Sequence, residues 1–187
     1  VTSLYDAIGL VSMKHDHVGG QGDLIRSAFF YDIMLTLLTF GRESAFRESM
    51  LDNARVAPGD RVLDVGCGTG TLALAAKRRV GPDAEVRGVD ASDEMIARAR
   101  AKAARKGVAV AFEVAPAQKL PFPDGSFDVV LSSMMLHHVP ATARKDAVAE
   151  MRRVLRPNGR LLIVELIRKP GLLSSMIPAR WSHSHSH

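Results

Sequence analysis

Val62-Leu63-Asp64-Val65-Gly66-Cys67-Gly68-Thr69-Gly70 joins a hydrophobic segment to three alternating glycines. Val62–Val65 has the length and β-branched content of a strand buried in a parallel sheet. Thr71 to Lys77 reads as the opening of a helix. Glycines at the join remove side chains, so the backbone can turn tightly and approach a ligand closely. A strand, a glycine turn and a helix N-terminus form the nucleotide crevice of an α/β sheet. A nucleoside-bearing cofactor is expected there.

Spacing narrows the choice of cofactor. The dinucleotide fingerprint is Gly-x-Gly-x-x-Gly, whereas here the sixth position is Thr71 and Gly70 falls one place early. A Walker loop needs Gly-Lys-Ser/Thr, and Gly70 is followed by Thr71-Leu72. Asp64, two residues before the first glycine, would repel a pyrophosphate but suits a ligand bearing an ammonium group. These residues resemble motif I of the class I S-adenosylmethionine-dependent methyltransferases, in which an acidic residue precedes Gly-x-Gly-x-Gly. A nicotinamide-type turn with a shifted glycine is the competing reading.

The 187 residues suffice for one domain with a two-sided core and are too few for two. A hydrophobic content of 47% fits a soluble globular protein, and no apolar run approaches the roughly 20 residues of a membrane helix. The first residues, Val1 to Asp6, carry no secretory pattern. The single cysteine, Cys67, fits a reducing cytoplasm. Much of the net charge of +5 sits in Arg98, Arg100, Lys102, Arg105 and Lys106, behind the acidic pair Asp93-Glu94. That order complements a helix dipole and describes a solvated face, so nucleic acid is disfavoured as substrate. His15-Asp16-His17 lacks further ligands at a metal-binding spacing and reads as a solvated loop, so no metal is expected. Ser182 to His187 alternates Ser and His and reads as a tail outside the fold.

Gly19-Gly20-Gln21-Gly22 marks a flexible leader, followed by a helix over 28–38 with Phe30, Met34, Leu37 and Leu38 on one face. A second helix over 43–53 turns Phe46 and Met50 inward. Downstream, strands are expected at 62–65, 85–90, 108–114, 127–132 and 160–166. Helices are expected at 69–80, from the Ser92 cap to Gly107, and at 142–155 with Val148, Met151 and Leu155 inward. Alternating strands and helices imply an α/β, Rossmann-like, doubly wound and mainly parallel sheet. The chain divides into an N-terminal helical leader or lid (1–56), a cofactor-binding core (57–168) and a short tail (169–187).

Asp90 ends the second strand, where a carboxylate can accept hydrogen bonds from both ribose hydroxyls. A helix cap is the alternative role, but Ser92 is better placed for it. The resemblance extends through Phe127-Asp128-Val129-Val130 and Leu155-Arg156-Pro157-Asn158-Gly159-Arg160-Leu161. Leu120-Pro121-Phe122 with Phe127-Asp128 is especially similar to the branch holding ubiquinone and menaquinone biosynthesis and many small-molecule methyltransferases. Tyr31-Asp32 resembles the Tyr-Asp of that branch's lid. By matching position, the resemblance implies that Asp64 and the turn Gly66, Cys67, Gly68, Thr69 and Gly70 hold the methionine portion of S-adenosylmethionine, with Tyr31 at that end. It also implies that Asp90 holds the ribose, with Ala91 and Met95 beside the adenine, and that Ser132 and Ser133 line the methyl-donor side.

Two departures stand out. Many relatives carry an aspartate after the third strand for the adenine amino group; Pro116 stands here, so that contact falls to Gln118 or to the backbone near Ala117. After Glu165 only 22 residues remain, so an abbreviated C-terminal edge, a truncated chain, or a neighbouring subunit covering that edge as in a homodimer is expected.

Displacement at a sulfonium methyl mainly needs a nucleophile held close and dry. A general base is needed only if the acceptor loses a proton; His137 and His138, just after the fourth strand, are the candidates, His137 preferred, beside the alternative that they cap or pack the next helix. The fourth strand ends in Ser132-Ser133-Met134-Met135 and not in Asn-Pro-Pro-Tyr, which argues against exocyclic base amines. One cysteine argues against arsenite chemistry. The apolar leader residues Phe29, Phe30, Met34, Leu35, Leu37 and Leu38 could wall a pocket for a quinone precursor or a lipid, with peripheral membrane contact, or simply pack as core. The expected activity is methyl transfer to a small apolar acceptor, giving S-adenosylhomocysteine. A binding-only relative without turnover and a nicotinamide oxidoreductase are the alternatives.

Overall fold

A computed structural model describes residues 43–165. The expected helix over 28–38, Tyr31, residues 1–42 of the leader and the tail lie outside them. Five parallel strands, β1 (Val62–Val65), β2 (Val86–Asp90), β3 (Ala111–Val114), β4 (Phe127–Ser133) and β5 (Leu155–Val164), lie in the order β3-β2-β1-β4-β5. The chain winds outward from β1 through β2 to β3, then crosses back to β4 beside β1. That reversal makes the C-terminal ends of β1 and β4 the switch point, where α/β sheets open a crevice.

Right-handed crossovers put helices on both faces. Helices α1 (Glu43–Asn53), α2 (Thr71–Val80) and α3 (Asp93–Lys106) cover one face, where Leu72, Leu74, Ile96 and Ala99 meet Val62, Val129 and Leu131. On the other, α4 (Arg144–Arg153) packs Ala147 and Met151 against Leu63, Val65 and Val130. Every residue of β1 is buried, Asp64 with the three apolar ones, as befits a central parallel strand. Helix α3 obeys its expected punctuation: the Ser92 hydroxyl accepts from the Met95 N–H, and Gly107 ends the helix in the left-handed region.

Four boundaries differ from the sequence reading. Strand β3 begins at Ala111 and not at Val108, because the Val108 N–H is spent on the Ala103 carbonyl in the cap of α3. Helix α4 is shorter, preceded by a 3-10 turn at Ala141–Ala143, and Val148 is only half-buried while Val154 joins the core. Strand β5 starts early, since Leu155 pairs with Phe127; residues 156–159 then bulge out before Arg160 pairs with Val129. The fourth difference concerns the leader. Met50, Leu51, Ala54 and Val56 are buried in the α2/α3 core, and Arg79 of α2 binds Glu48 and Asp52 of α1. A division after residue 56 therefore cuts through packed core.

Candidate functional site

The turn at the head of β1 is pinned from behind. The Gly66 and Cys67 N–H groups donate to the Val89 carbonyl at 2.8 and 2.9 Å. Gly66, Gly68 and Gly70 all have positive φ, between 51 and 76°. Two are needed for close packing. A Cβ on Gly70 would lie 2.6 Å from the Phe112 ring, and one on Gly66 would lie 2.1 Å from Met135 Cγ. At Gly68 a Cβ would meet nothing within 4 Å, so the turn opens into free space there.

Two carboxylates flank this opening. Asp64 is fully buried beneath the turn and accepts from the Ala73 N–H at 3.1 Å. It thereby caps the third residue of α2, whose own N-cap, Gly70, has no side chain to offer. Burial pushes the Asp64 carboxyl up to about 7, against the pull of the Ala73 hydrogen bond and with help from the Asp90 charge. Asp90, half-buried at the end of β2, accepts from the Gly68 N–H and the Ser92 N–H, both at 2.9 Å. An ionised carboxylate offers about four lone-pair sites, so two remain for a ligand.

Other expected residues fall around the same opening with differing access. Cys67 turns its thiol inward, and burial, then the Asp64 and Asp90 charges, push that thiol up, so only its backbone can face a ligand. The Thr69 hydroxyl is held by Lys102 Nζ at 2.6 Å, and Thr71 at 2.8 Å. Ala91 is exposed and Met95 half-buried at the start of α3. Beyond β3, Ala117 is buried and Gln118 exposed. Ser132 is buried at the end of β4 with its hydroxyl unpartnered among the described residues, and Ser133 is half-buried beside it.

Three residues not singled out by the sequence reading belong here. Val114, 44% exposed, pairs with Asp90 and presents apolar surface beside it. Met135 covers Gly66, carried there by a left-handed backbone at Met134. Glu165, one residue past β5, accepts from the Met135 and Leu136 N–H groups at 2.9 and 2.6 Å and meets His137 Nδ1 at 2.9 Å. Its position after an apolar strand was the available signal, since side chains there reach the crevice. Among the described residues, no cluster of His, Cys, Asp and Glu could hold a metal ion, and no helix is long and apolar enough to cross a membrane.

Residues 62–159, just over half of the chain, match the family described as Methyltransferase domain. The ubiquinone/menaquinone biosynthesis C-methyltransferase UbiE of Ectopseudomonas mendocina is 43% identical over 143 residues, covering 75% of this chain and 55% of that protein. The UbiE of Bordetella avium is 40% identical, covering 74% and 53%. The chain thus spans about half the length of the curated relatives it matches. Among solved structures, the YcgJ protein of Bacillus subtilis is 40% identical with a TM-score of 0.59, covering 64% of this chain and 49% of that one. A SAM dependent methyltransferase from Aquifex aeolicus is 26% identical with a TM-score of 0.60, covering 67% and 68%. The matched span takes in the glycine turn, both flanking carboxylates and strands β1 to β4, and the chain belongs to the class I S-adenosylmethionine-dependent methyltransferase family.

Proposed function

We propose that the chain is an S-adenosylmethionine-dependent methyltransferase acting on a small apolar acceptor, a quinone precursor or a similar lipid. The observation that carries this reading is Asp90, tied to the Gly68 and Ser92 N–H groups at the edge of the open turn. Its two remaining lone-pair sites suit the vicinal hydroxyls of a ribose. When ionised, Asp64 beneath the turn supplies a negative charge that favours the ammonium of a methionine moiety over a pyrophosphate, and burial puts that ionisation at about 7. Val114, Ala91 and Met95 offer apolar surface to the adenine, and Gln118 or the Ala117 backbone takes its amino group. Ser132 and Ser133 line the methyl-donor side; Tyr31, which the resemblance assigns to the methionine end, lies outside the described residues.

When bound, the cofactor supplies an electrophilic methyl group on a sulfonium. The protein's part is to orient the acceptor and exclude water. His137 would take the proton that the acceptor loses on methylation, S-adenosylhomocysteine being the other product. Relatives named for C-methylation in quinone biosynthesis support a ring carbon activated by neighbouring hydroxyls. Peripheral contact with a membrane holding such a lipid, and a second copy of the chain along the outer side of β5, belong to the same reading, as does a cytoplasmic location.

The test is methyl transfer from S-adenosylmethionine to a demethylated naphthoquinol presented in detergent. Methylated quinol and S-adenosylhomocysteine should appear in equal amounts. Binding of the cofactor with no product from naphthoquinol, benzoquinol or phospholipid would remove the acceptor class from this account.

A further inference from the structure

We propose that Glu165 is a positioning residue that sets His137 as the proton acceptor of the site, by holding its Nδ1–H and the backbone of the Met135–His137 turn together. The inference rests on the methyl-transfer reading above. Glu165 follows Val164, which pairs with Ser133 at the end of β4, so the parallel register brings the carboxylate to the turn that leaves β4. One oxygen accepts from both the Met135 and Leu136 N–H groups; the other meets His137 Nδ1 at 2.9 Å.

The chemistry of the carboxylate decides the tautomer. Partial burial raises its pKa, but the His137 hydrogen bond, then the Leu136 N–H, the His137 charge and the Met135 N–H hold it below the usual range. Glu165 is therefore ionised at neutral pH and can only accept. Nδ1 must carry the hydrogen, which leaves the lone pair of the neutral imidazole on Nε2. The other groups facing His137 do not compete for Nδ1 in the contacts described. The His138 ring lies 4.0 Å away, centroid to centroid, and Arg144 reaches the His137 carbonyl at 3.4 Å. The His137 side chain is 39% exposed, open to an acceptor. The same clamp holds Met135 over Gly66, so base and turn are set by one carboxylate.

Capping of the turn alone would give Glu165 a purely structural role, and Glu165→Gln separates the two. Its amide oxygen can still accept from Met135 and Leu136, but its NH2 then faces Nδ1 as a donor and forces the hydrogen onto Nε2. In full-length protein labelled with 15N-histidine, long-range proton–nitrogen correlation should show His137 as Nδ1–H in the wild type and Nε2–H in Glu165→Gln. With the naphthoquinol as acceptor, kcat should fall at least ~10-fold in the variant, the cost of a wrong tautomer at a general base. Affinity for S-adenosylhomocysteine should change less than about 2-fold. An Nε2–H tautomer in the wild type overturns the inference even if the variant fails to fold. So does a variant with switched tautomer and undiminished kcat. A wild type with the Nδ1–H tautomer that transfers no methyl to any acceptor tested sinks the methyl-transfer reading, and the role assigned to Glu165 with it.

Discussion

At the scale of single residues, Asp64 shows how a site and a fold share one group. Its carboxylate caps α2 from nine residues away, yet burial holds its pKa near 7, far above the ordinary 3.8. Between those values the folded protein binds a proton that the unfolded chain does not, so stability falls as pH rises from about 4 to about 7. A shift of that size corresponds to about 4 kcal/mol. Asp64→Asn keeps an acceptor for the Ala73 N–H and has nothing to ionise. Urea midpoints of the ligand-free proteins at pH 5 and pH 8 should show a steeper decline for the wild type than for the variant. Equal declines would mean that Asp64 is already ionised at pH 5. Asp64 and Asp90 were legible in the sequence because each stands at a fixed offset from the glycines. Glu165 was not, because its partner His137 lies 28 positions away and is reached only through the β4–β5 register.

At the scale of elements, strands buried on both faces were the easiest to read, since β1 and β4 are mostly apolar, interrupted only by Asp64 in β1 and by Asp128 and the terminal Ser132-Ser133 in β4. Boundaries shifted where a backbone group was spent outside the sheet, as at Val108, or where a bulge such as residues 156–159 has no periodic signature. Helix α1 is the element whose role differs most from the sequence reading. Met50 turns inward as its spacing implies, but the polar sequence hides Leu51, which completes the α2 face of the core with it. Leu51 is fully buried, so Leu51→Ala should cost about 2–5 kcal/mol by the transfer and cavity terms together, read from urea denaturation. Deletion through Asn53 should therefore unfold the chain, rather than leave an intact sheet without a lid. A loss below about 1 kcal/mol for Leu51→Ala would place α1 outside the cooperative core.

At the scale of the whole molecule, the strand order brings the ends of β1, β2 and β4 to one crevice, with Asp90 and the glycine turn at its edge and Asp64 buried beneath them. The central claim is that this crevice takes an adenosyl–methionine ligand through Asp90 and the glycine turn. Calorimetric titration of S-adenosylhomocysteine into the wild type and Asp90→Ala, with NAD in parallel, tests it most directly. The account predicts micromolar affinity for S-adenosylhomocysteine, a loss of roughly 2–4 kcal/mol in Asp90→Ala from the unpaired hydroxyls, and no heat from NAD. Measurable NAD binding without a response to S-adenosylhomocysteine would contradict it.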